Sequence, residues 1–128
     1  MQMFNSIKDI LSVLPSYNDE HGYRVDPPSD LVISNADKFV ASLPGYYRKI
    51  LDAGNITANA HGTLTIDWYR NKNFVSVEIG QTQVGFFTEM PDGTNPQAVV
   101  PPTDEPHPLI IKCLNLLYGR EDSTDSHL

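Results

Sequence analysis

The chain has 128 residues, enough for one domain with a modest core of its own and little more. Apolar residues make up 40% and charged residues 20%, a balance that excludes wholesale disorder. Sixteen acids against nine bases leave a net charge of −7, which argues against nucleic acid or an anionic membrane as the main partner, since both repel it.

Cys113 is the single cysteine, so no disulfide can form within the chain. It sits in the apolar run Leu109-Ile110-Ile111-Lys112-Cys113-Leu114 and reads as a small core thiol rather than a nucleophile. The first residues lack a basic stretch followed by a long apolar one, and no segment approaches the roughly twenty apolar residues of a membrane helix. A cytoplasmic address is the resulting expectation.

Phe4, Ile7, Ile10, Leu11 and Leu14 fall at helical spacing and predict a first helix that Pro15 stops. The polar, turn-rich stretch from Ser16 to Pro28 reads as a loop. Ser29 then suits an N-cap with Asp30 in the first turn, and Val32, Ala36, Phe39, Val40 and Leu43 form one stripe of a second helix. Pro44-Gly45 breaks it. Tyr46 to Ala53 predicts a short third helix, with Gly54 as its left-handed terminator.

Two alternating runs follow, Thr63 to Arg70 and Asn73 to Ile79. A two-residue turn at Asn71-Lys72 pairs Trp68 with Val75, Ile66 with Val77 and Leu64 with Ile79, so all six apolar side chains share a face. A slip of one residue would set each against a polar neighbour. Val84 and Phe86 of the next strand join that face whether the turn is Gly80-Gln81 or Gln81-Thr82. Ile56, Ala58 and Ala60 alternate ahead of the hairpin, and a three-residue link at His61-Gly62-Thr63 would set Ile56 opposite Trp68. Met90 to Gly93 ends the sheet in a turn. The proline-rich stretch Asn95 to Pro108 reads as an extended connector. A final apolar helix starts at Pro108 and ends at Gly119. The expected fold is α+β: a four-stranded antiparallel meander with helices from both ends of the chain on one face, in a single domain over 1–119, with a polar tail over 120–128.

Catalytic chemistry is hard to assemble from these residues. The four histidines lie in loops, the connector or the tail, none at a spacing that preforms a metal site, so no metal or cofactor is implied. The other side of the sheet carries Asp67, Tyr69, Phe74, Glu78 and Phe87. Asp67 and Glu78 are the only acids there that suit an acid/base pair, with a loop histidine as helper. Tyr69 opposite Phe74, with Phe87 nearby, makes a half-apolar surface suited to another protein or to self-association. Acids between Ser16 and Asp37 offer a third reading, a nucleic-acid mimic.

The run from His61 through Gly62 and Asp67-Trp68, continuing to Val75-Ser76-Val77-Glu78-Ile79, resembles a group of short bacterial proteins of uncharacterised function. Their pattern is an aromatic-acidic-Gly-Tyr loop, a helix, a Gly-x-x-x-x-acid-Trp strand and a strand ending in Glu-Ile. Tyr17-Asn18-Asp19 and Gly22-Tyr23 stand where that loop belongs, with Tyr17 in place of the usual Trp. The resemblance covers about two thirds of the chain and implies a fold and a bacterial or mobile-element setting. It transfers no catalytic residue. The leading expectation is therefore a non-enzymatic interaction factor of antitoxin, immunity or accessory type, with the small enzyme and the mimic as alternatives.

Overall fold

A computed structural model describes residues 28–103, 105 and 107–120. The first helix expected over Phe4–Leu14, nearly all of the loop after it, and tail residues 121–128 lie outside the described residues.

Helix α1 spans Asp30–Ala41. Ser29 caps it, its Oγ accepting from the Val32 N–H at 3.2 Å, with Asp30 against the positive end and Lys38 near the negative one. Val32, Ala36, Phe39 and Leu43 of the expected stripe are buried, and Val40 is half-buried. Helix α2 is one short turn, Gly45–Lys49, with Tyr47 buried. It does not run on to Ala53 as expected. Asp52 and Asn55 make local bonds instead: the Gly54 N–H donates to Asp52 Oδ1 at 2.8 Å, and the Asp52 N–H to Asn55 Oδ1 at 2.9 Å. Side chains that offer the backbone a nearby alternative end helices this way. Gly54 thus lies within a 3-10 turn, Ala53–Asn55, rather than terminating a helix.

The sheet is an antiparallel meander of five strands in chain order: β1 Ile56–Ala58, β2 Leu64–Arg70, β3 Asn73–Ile79, β4 Val84–Glu89 and β5 Gln97–Val100. The central register is the expected one, from Arg70 opposite Asn73 to Leu64 opposite Ile79. Asn71 takes a positive φ of 57°, a conformation asparagine tolerates better than most residues. Between β3 and β4 the turn falls at Gln81-Thr82, closed by the Gly80 N–H on the Gln83 carbonyl at 2.9 Å.

Two expectations need correction. Ile56 pairs with Ile66, not Trp68. The turn closes one residue earlier, over 60–62, because the Asn59 N–H bonds the Thr63 carbonyl at 2.9 Å and the Asn59 amide donates to Thr63 Oγ1 and Thr65 Oγ1. The shift is by two residues, so Ile56 stays on the buried face. The connector also holds a fifth strand. Pro96 and Pro101 flank Gln97–Val100 without interrupting it, and an edge strand tolerates such neighbours. Thr88 Oγ1 donates to the Pro96 carbonyl at 2.8 Å and ties the new strand to β4.

Helix α3, Pro108–Leu117, starts where expected and buries Ile110, Cys113, Leu114 and Leu117 against the sheet. The core lies between that face and the helices. Trp68 is wholly enclosed, its ring edge-on to Phe39 with centroids 6.3 Å apart and its Nε1–H donating to the Tyr47 carbonyl at 3.2 Å. The Tyr47 hydroxyl donates to Asn115 Oδ1, and burial pushes its pKa up to about 12. The Arg120 guanidinium lies 4.0 Å from the centre of the Tyr46 ring.

Candidate functional site

Among the described residues the helices lie on the Trp68 face, and the candidate residues lie on the opposite face of the sheet. Alternation puts Thr65, Asp67 and Tyr69 of β2, Phe74, Ser76 and Glu78 of β3, and Gly85, Phe87 and Glu89 of β4 on that side. Gln97 and Val99 of β5 continue it.

The aromatic side chains form a connected stripe. Tyr69 lies opposite Phe74 with ring centroids 6.4 Å apart, and Phe74 meets Phe87 edge-on at 6.2 Å. Such contacts stabilise the hairpins by about 0.2–1 kcal/mol each. They do not enclose the rings. Tyr69 is 60% exposed, Phe87 47%, and Val99, beside Gly85 at the sheet edge, 64%. Ser76, directly across from both Asp67 and Phe87, is buried in the floor between them. The Tyr69 pKa is raised, first by partial burial and then by the Asp67 carboxylate.

At the other end of the face, Glu78 meets the loop between β1 and β2. Thr63 Oγ1 donates to Glu78 Oε2 at 2.6 Å, and His61 Nε2 lies 2.9 Å from the same oxygen. The Thr63 bond, followed by that of His61, holds the Glu78 carboxyl below its ordinary pKa. His61 and Glu78 are thus brought together, but in the open, with side chains 68% and 40% exposed. Asp67 takes part in neither contact. A small cleft lies elsewhere, between α1, α3 and the β4–β5 edge, lined by Asn35, Phe39, Val84, Val100, His107 and Ile110. It has room for about one water molecule. Cys113 is buried, and burial raises its thiol pKa.

Glu89 and Val99 of this face, and Thr63 at its end, went unread in the sequence. Glu89 continues the Gly85–Phe87 alternation and was legible from it. Val99 was hidden by the prolines around β5, and Thr63 by its assignment to the link between the strands. Among the described residues no group of three or more His, Cys, Asp or Glu could hold a metal ion, and no helix is long and apolar enough to cross a membrane. Comparison of the chain with protein-family models, curated proteins and solved structures gave no match in any of the three.

Proposed function

We propose that this protein is a non-enzymatic interaction factor that docks another protein on the outer face of its sheet. The observation that carries this reading is the aromatic stripe Tyr69–Phe74–Phe87, connected across three strands with Tyr69 and Phe87 open to solvent, and the exposed Val99 on the fourth strand of the same face. Scattered exposed apolar residues are ordinary, but a contiguous row on a flat sheet is a surface that a partner's apolar groups can cover. Aromatic residues also supply much of the binding energy at protein interfaces.

The enzymatic alternative draws support from one contact, His61 with Glu78. An acid/base pair needs a site that excludes water and shifts its pKa values apart, and both side chains stand in solvent. The interaction reading is therefore preferred. A photo-crosslinking residue placed at Phe87, in the cell the protein comes from, should capture a defined protein that the same probe at Lys49, on the helical side, does not. Equal capture from both positions, or none from Phe87, would remove the docking role.

A further inference from the structure

The charges on the outer face are of one sign. Its strand positions hold Asp67, Glu78 and Glu89 and no lysine or arginine. Arg70, next in the chain to Tyr69, turns to the other side, where its Nη1 donates to the Leu117 carbonyl at 3.4 Å. Lys72 lies in the turn beyond the strands, and His61 is engaged with Glu78. Glu78 is already served by Thr63 and His61, which leaves Asp67 and Glu89 to set the charge around the rings. Asp67 is two residues from Tyr69 on its strand, and Glu89 lies directly opposite Phe74. Exposed aromatic faces and carboxylates are interleaved within one patch.

Resting on the docking role proposed above, we infer that the partner presents an extended, arginine-bearing segment to this face. Its guanidinium groups lie on the Tyr69, Phe74 and Phe87 rings and pair with Asp67 and Glu89, while intervening apolar side chains cover Val99. Arginine fits better than lysine because a planar guanidinium stacks on a ring and forks onto a carboxylate at the same time. The protein already contains one such stack, Arg120 on Tyr46. A second copy of this chain is a poor occupant, because face-to-face pairing brings Asp67, Glu78 and Glu89 against their own kind, and like charges across an interface are costly.

The test uses the full chain and three short synthetic peptides: arginine alternating with valine, lysine alternating with valine, and serine alternating with valine. Titration is followed by amide chemical shifts. The arginine peptide should bind saturably, shift the amides around Tyr69, Phe74 and Phe87, and exceed the serine peptide in affinity by about ten-fold or more. Its lead over the lysine peptide should be smaller. A double substitution, Asp67→Asn with Glu89→Gln, should remove most of the advantage over serine while leaving the circular dichroism spectrum unchanged. Equal binding of the serine peptide at the same amides would overturn the arginine inference and leave the docking role standing. The arginine inference also falls if the double variant keeps the full advantage, if shifts appear away from this face, or if nothing binds. Self-association through these amides in the absence of peptide would replace it with a homodimer.

Discussion

Glu78 illustrates how a single side chain is tuned by its loop. Thr63 and His61 converge on one of its oxygens, and the hydrogen bonds favour the charged carboxylate. A carboxyl whose pKa is lowered on folding adds stability above its unfolded value, near 4.5, and loses it as pH falls through the lowered folded value. The side chain is 40% exposed, so solvent screens the effect and the stabilisation is small. The Glu78 carboxyl signal should titrate below 4.5 in the native protein, and Thr63→Val should move its midpoint upward. An unmoved midpoint in that variant would show that Thr63 does not hold the charge. The outer-face residues named from sequence are all where strand alternation set them. A loop histidine was expected beside Asp67 or Glu78, but neither His61 in particular nor Thr63 was foreseen on Glu78, because a loop's path depends on bonds such as Asn59 to Thr65 that alternation does not encode.

Among the elements, the hairpin of β2 and β3 is specified twice, by its apolar alternation and by its turn. Asn71 holds a positive φ that a β-branched residue enters only with strain. Asn71→Val should therefore destabilise the protein by about 1–2 kcal/mol, and Asn71→Gly should change it little. Urea unfolding of the two variants checks this; equal midpoints would mean the turn conformation does not matter. Helix α2 and strand β5 were misread for opposite reasons. In the first, Asp52 and Asn55 drew the backbone away from a helix that Tyr46 to Ala53 could otherwise continue. In the second, prolines that look like strand breakers stand just outside a short edge strand.

For the molecule as a whole, Trp68 is where the layers meet. It touches α1 through Phe39 and the α2 backbone through its indole N–H, and it lies across from Val75 within the sheet. Trp68→Ala should cost about 3–5 kcal/mol, the range for deleting a large buried aromatic side chain. Thermal unfolding like that of the unaltered protein would mean the helices do not depend on this residue. Phe87→Ala, by contrast, removes a half-exposed ring and should affect binding far more than stability. On the docking role proposed above, the two faces of one sheet separate folding from recognition.

Alternation along β2, β3 and β4, with a turn residue that tolerates positive φ, was enough to determine the meander, its central register and the composition of both faces. Period-two patterns fix side-chain direction locally, with no need to know what covers them. Only the packed structure decided that β5 joins the sheet through a proline-flanked edge and that Glu78 is held by a loop. These outcomes depend on contacts between segments far apart in the chain, and local sequence carries little trace of them.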